Sequence, residues 1–198
     1  MTSTPSHPRR YIGIGLLWFL IAFGLAASGR LAELRPPVPQ LVLVGLTLAL
    51  IAAGAMLPGV RVWLAGLNLR QIIALHITRF VGIYFLVLYG RGELPYAFAV
   101  PGGWGDIIVA TGALILVLLV PDLAARRGLV LLWNLLGLAD ILFVVLTAAR
   151  LALADPDSMA ALLRLPLSLL PTFLVPIIIA SHLLLFTRLI GDKVRPAA

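Results

Sequence analysis

Between Arg10 and Arg30 the chain carries no charged side chain. Tyr11–Ser28 is apolar almost throughout, and a helix of that length crosses the hydrocarbon of a bilayer, which takes about 20 residues. A soluble fold cannot hide such runs here. Hydrophobic residues make up 62% of the 198 and charged residues 12%, against about 45–50% and about 25% in soluble domains. A fold of this size buries too little of its own surface to cover the excess. The expectation is an all-α protein, a bundle of transmembrane helices in a single integral membrane domain, with the lipid bilayer as its principal partner. No stretch is polar enough for a second domain.

Six spans follow from the apolar runs and the breakers between them: 11–28, 41–57, 71–89, 104–120, 129–149 and 168–189. Pro36, Pro37 and Pro39 mark the first loop, since proline lacks a backbone donor and resists helix. Pro58-Gly59 and Pro121-Asp122 end the second and fourth spans. Val62–Leu69 reads as an apolar linker at the interface, and Ser158–Arg164 as an interfacial helical stretch. The first span also has the outline of a signal peptide, with Arg9-Arg10 before it and Ala26-Ala27-Ser28 after. Its apolar run exceeds the about 7–15 residues of a signal core, which favours an uncleaved helix.

Orientation follows from basic residues in short loops. With six spans, one side holds nine (Arg9, Arg10, Arg61, Arg70, Arg126, Arg127, Arg188, Lys193, Arg195) and the other five (Arg30, Arg35, Arg91, Arg150, Arg164). Both termini are therefore expected in the cytoplasm. Tyr89, Tyr96 and Trp104 form the expected outer aromatic belt, and Tyr11, Trp63 and Trp133 the inner one. Helices rather than a barrel place the chain in the cell inner (plasma) membrane. The net charge of +7 is explained by anionic headgroups; no basic face suited to nucleic acid is present.

The informative residues are polar ones inside the spans, because a charge in hydrocarbon costs about 2.5–3.5 kcal/mol on insertion scales. At about 1.5 Å per residue, Arg79 lies about 12 Å into the third span and Asp140 about 16 Å into the fifth, from the same face. They match in depth and form an expected ion pair, structural or on a proton or substrate path. Arginine keeps its charge at any working pH, so Asp140 is the member that titrates. Asn134 shares the fifth span. Pro101-Gly102-Gly103-Trp104-Gly105-Asp106 reads as an interfacial loop whose Asp106 caps the fourth span; alternatively, Leu94–Val100 dips into the membrane as a re-entrant segment. In the sixth span, Pro171 and Pro176 bend the helix that carries Ser181 and His182.

His76 and His182 lie about 8 and about 10 Å from the cytoplasmic face, so two imidazoles on different helices form a candidate axial pair for a b-type haem. No cofactor is otherwise expected. The chain has no cysteine, which excludes disulfides, iron–sulfur clusters and thiolate metal sites. The histidine pair lacks a third metal ligand. No catalytic residues are assigned, for no G-x-S-x-G or H-E-x-x-H motif occurs. Three functions compete: a small transporter or channel-like protein for an unknown solute or ion, with Arg79, Asp106, Asn134, Asp140 and Ser181 on a polar path; a haem electron carrier using His76 and His182; and a structural or accessory subunit. Small-residue spacings such as Gly24-x-x-x-Ser28 permit a homo-oligomer or a membrane-complex partner.

Overall fold

A computed structural model of the chain describes residues 8–191. The basic residues Lys193 and Arg195 of the expected cytoplasmic tail, and the polar residues before Pro8, lie outside the described residues. Helices α1 (Pro8–Ala27), α2 (Val38–Met56), α3 (Pro58–Gly66), α4 (Leu69–Ala74), α5 (Gly82–Gly90), α6 (Tyr96–Leu119), α7 (Arg127–Ala154) and α8 (Val175–Gly191) follow one another, and among the described residues there is no strand. Among the described residues, six stretches are long and apolar enough to cross a membrane: Arg9–Ala27, Val38–Met56, Leu69–Gly90, Tyr96–Leu119, Arg127–Ala154 and Leu170–Ile190.

The helices fall into two compact units. The first takes in residues 8–68 together with Leu162–Ile177. Gly29, at φ 77°, turns the end of α1 into a short 3₁₀ helix, Arg30–Glu33, before α2 begins. The expected linker at 62–69 is mostly helix α3: Leu57 is extended and Pro58 supplies the first helical φ. Tyr11 stacks on Trp63 at 5.3 Å between ring centroids.

A five-residue π-helical turn, Leu170–Leu174, leads into α8. Its cause is the proline pair. Pro171 cannot donate to Leu167, whose carbonyl instead accepts from Leu170 N–H at 2.9 Å. Pro176 cannot donate to Thr172, and that carbonyl accepts from the indole Nε1–H of Trp18 at 3.0 Å. The indole also packs edge-on against Phe173, 4.9 Å away.

The second unit, Leu69–Ala161 with residues 178–191, packs α4, α5, α6, α7 and most of α8. The third span is not a single α-helix: α4 runs into a 3₁₀ segment, Leu75–Val81, and then into α5. Gly92, at φ 73°, closes α5 with its N–H on the Tyr89 carbonyl and the Glu93 N–H on that of Leu88, both 2.9 Å. At the far end of α6, Arg70 Nη2 donates to the carbonyls of Val120 (2.8 Å) and Pro121 (3.1 Å), and Nη1 to that of Val117. Val117 lies in the last turn of α6, and Val120 and Pro121 follow its end, where carbonyls lack helical partners.

Two sequence expectations change here. The fourth span begins at Tyr96, not near 104, so Leu94–Val100 is neither re-entrant nor an interfacial loop. The helix continues through Pro101-Gly102-Gly103 because Gly102 and Gly103 are buried against neighbouring helices, and backbone in hydrocarbon must satisfy itself. Trp133 is not part of an interfacial belt: it is 8% exposed, and its Nε1–H donates to the Val109 carbonyl at 3.0 Å. Tyr89, Tyr96 and Trp104 do face outward. The remaining stretch, Pro156–Leu163, is a 3₁₀ helix.

Candidate functional site

Glycines bring the elements of the second unit close enough for their polar groups to meet. A Cβ on Gly103 would lie 2.8 Å from the Gly82 carbonyl oxygen, so α5 and α6 are in backbone contact there. A Cβ on Gly102 would stand 3.2 Å from Val144 of α7, and one on Gly105 would overlap the Asp140 carboxylate. The Pro101–Asp106 segment is thus a glycine-lined helix face.

Asp106 does not cap a helix. It lies well inside α6, 3% exposed, and Arg79 Nε donates to its Oδ1 at 2.6 Å. Arg79 is itself 1% exposed. Its Nη2 pairs with Asp140 of α7, and its Nη1 donates to the Gly137 carbonyl at 2.9 Å. One guanidinium therefore serves two carboxylates from two helices. Asp140 is the more open of the two, its side chain 16% exposed against 4% for Asp106.

The 3₁₀ segment positions the next group. With three residues per turn, His76 and Arg79 lie in one line, about 6 Å apart along the axis at about 2.0 Å per residue. His76 is fully buried. Its Nε2 lies 3.1 Å from the Ser181 hydroxyl. That hydroxyl donates to the Ile178 carbonyl at 2.8 Å, so it accepts from His76 Nε2–H. His182 Nδ1 lies 2.8 Å from Asn134 Oδ1, while Asn134 Nδ2 donates to the His182 carbonyl at 3.1 Å. The amide oxygen accepts, so His182 carries its proton on Nδ1. These bonds leave His76 Nδ1 and His182 Nε2 as bare acceptors, and both are buried without a partner. The two imidazoles touch, with centroids 4.3 Å apart, and Trp133 packs edge-on against His76 at 5.0 Å.

All seven polar residues singled out in the sequence meet in this unit. Arg79, Asp106 and Asp140 form an ion cluster; beside it, Asn134 with His182 and His76 with Ser181 form two hydrogen-bonded pairs, joined into a column by contact of the two rings. Gly137 joins the two: its carbonyl holds Arg79, and a Cβ on it would meet the His182 ring at 2.7 Å. The haem arrangement does not fit this packing. A porphyrin lies between its axial imidazoles, and rings in mutual contact leave no slot for one. No group of three or more metal-ligating side chains occurs among the described residues.

Fold and cluster together are those of a multi-pass integral membrane protein with ionisable groups buried among its helices. A family model, the domain of unknown function DUF8737, matches residues 36–190, and the chain belongs to that family. No curated protein and no solved structure matches the chain.

Proposed function

We propose that this is a small transporter or channel-like protein that moves protons, with Arg79, Asp106 and Asp140 as its proton site. A charge count carries the reading. One guanidinium faces two carboxylates, so with both ionised the cluster is left with one unmatched negative charge. Burying an uncompensated charge costs several kcal/mol. One proton on a carboxylate removes that cost.

The packing favours a proton over a larger cation. Gly82 and Gly105 press on the two aspartates so closely that neither position has room for a methyl group. The more open Asp140 exchanges the proton with the outside of the packed core. From Asp140 through Gly137 to Asn134, the site advances six residues along α7, about 9 Å. There the two bare imidazole nitrogens can accept and pass a proton. With both termini cytoplasmic in a plasma (inner) membrane, the histidine end faces the cytoplasm.

A purely structural cluster, one that only locks helices together, is the competing reading. The test is proton flux into liposomes that carry the full-length protein and a trapped pH-sensitive dye, driven by a valinomycin-set potassium potential. Flux above protein-free liposomes, lowered at least tenfold in Asp140→Asn and Asp106→Asn, is the expected result. A stable, correctly inserted protein with no flux would establish the structural reading.

A further inference from the structure

Asp140 sits at the middle of its helix, with thirteen residues of α7 before it, from Arg127, and fourteen after it, to Ala154. At about 1.5 Å per residue it lies about 20 Å from either end, near the midplane of a bilayer whose hydrocarbon is about 30 Å thick. Its Oδ2 turns inward to Arg79. Its Oδ1 lies over Gly105 of α6, where the missing side chain leaves room for it. The carboxyl thus occupies a notch in the seam between α6 and α7, and its side chain is 16% exposed.

What that open edge faces follows from its neighbours. Leu136 and Phe143, one turn to either side of Asp140 on α7, are exposed. So are Trp104 and Ile108, four residues apart on α6 with Gly105 beside them. Side chains three and four residues apart share a helix face. Asp140 therefore looks out among four large apolar side chains, on the surface of spans that meets lipid. The interior on the side away from the histidines is apolar too. There α5 and α6 bury Leu88, Phe85 and Phe98, the two rings 5.0 Å apart, and α7 buries Ile141 and Val144, with a hydroxyl from Thr147. The notch in the seam is the open edge of the ion cluster.

We infer that Asp140 opens sideways into the hydrocarbon and is a site of covalent modification by apolar carbodiimides, which dissolve in the bilayer and block the protein there. The inference rests on the proton reading, because carbodiimides add to the protonated acid. The carboxyl proton moves to one carbodiimide nitrogen, the carboxyl oxygen bonds to the central carbon, and one C=N double bond becomes single. The O-acylisourea so formed passes its acyl group from oxygen to nitrogen and ends as a stable N-acylurea. No atom is lost, so a reacted chain gains the full mass of the reagent. Water would divert the first adduct by hydrolysis, and a seam that excludes water favours the stable one. A carbodiimide that carries a fixed quaternary ammonium has the same reactive group, but its charge keeps it out of hydrocarbon.

The test treats liposomes that carry the unaltered full-length protein with dicyclohexylcarbodiimide or with a quaternary-ammonium carbodiimide, and maps the adducts by peptide mass spectrometry. Dicyclohexylcarbodiimide is expected to place one adduct per chain on Asp140 and to lower proton flux at least tenfold. The charged reagent should label Asp140 at least tenfold less, while reacting at Glu93 and Asp155, which are exposed outside the spans. An adduct on Asp106 instead, equal labelling of Asp140 by the two reagents, or no adduct on a protein that conducts protons would overturn the sideways opening and leave the proton reading standing. No adduct together with no flux would overturn both.

Discussion

The carbonyl oxygen of Gly82 would lie 2.8 Å from a Cβ placed on Gly103, so the third and fourth spans meet backbone to backbone. This contact sets the distance between Arg79, three residues before Gly82, and Asp106, three residues after Gly103. Gly103→Val must push the helices apart. Overpacking of this kind costs about 1–3 kcal/mol, and here it also draws the Arg79–Asp106 pair apart. A lower thermal midpoint in detergent is expected, together with reduced proton flux in whatever protein folds.

Arg79→Gln leaves two carboxyl groups, one of them ionised, in a buried site without their cation. Removing one partner of a buried pair costs about 3–5 kcal/mol, and severe loss of stability or yield is expected. Adding Asp106→Asn to Arg79→Gln leaves one titratable carboxyl where there were two and should restore part of the loss. Arg79→Lys should behave more like Gln than like Arg, since one ammonium cannot reproduce the fork that reaches Asp106, Asp140 and the Gly137 carbonyl together. Thermal midpoints of the four proteins in one detergent check these expectations.

Trp18→Phe keeps an aromatic ring against Phe173 but removes the donor to the Thr172 carbonyl. The predicted cost is about 1–3 kcal/mol, because Pro176 cannot take over that carbonyl. In a Pro176→Ala background the residue-176 N–H is free to do so. The same Trp18→Phe change should then cost less than about half as much, a coupling that a double-mutant cycle reads directly.

Asn134→Leu removes the amide that fixes the His182 tautomer and orientation. It keeps the number and branching of the side-chain heavy atoms, and Asn134 is not a member of the ion cluster. Proton flux should fall at least tenfold, with the protein still monodisperse. His182→Phe should do the same while keeping a ring beside His76. Flux unchanged in both would remove the histidine column from the path and leave the aspartates alone.

The six spans were legible because lipid imposes a long apolar run on each. The match of Arg79 with Asp140 was legible from helical rise alone. Asp106 was misplaced because Gly102, Gly103 and Gly105 carry a turn signal in water, whereas in a packed membrane helix they signal close approach. Their helical character depends on Gly82 and Val144, residues far away in the chain. The 3₁₀ stretch at Leu75–Val81, which lines up His76 with Arg79, has no glycine or proline to announce it. Nearness to a span end marks Trp133 as a belt residue, but its indole N–H finds the Val109 carbonyl inside. In the sixth span, by contrast, Pro171 and Pro176 foretold an irregular helix, and the π turn is what their missing donors produce.

The central claim is that two aspartates sharing one arginine hold a single exchangeable proton. Infrared difference spectra of the membrane-reconstituted protein, in light and heavy water across a pH titration, read it most directly. The account predicts a protonated-carboxyl band that shifts on deuterium exchange and is lost in both Asp106→Asn and Asp140→Asn. A band untouched by either substitution, or no protonated-carboxyl band at any pH at which the protein stays folded, would contradict it.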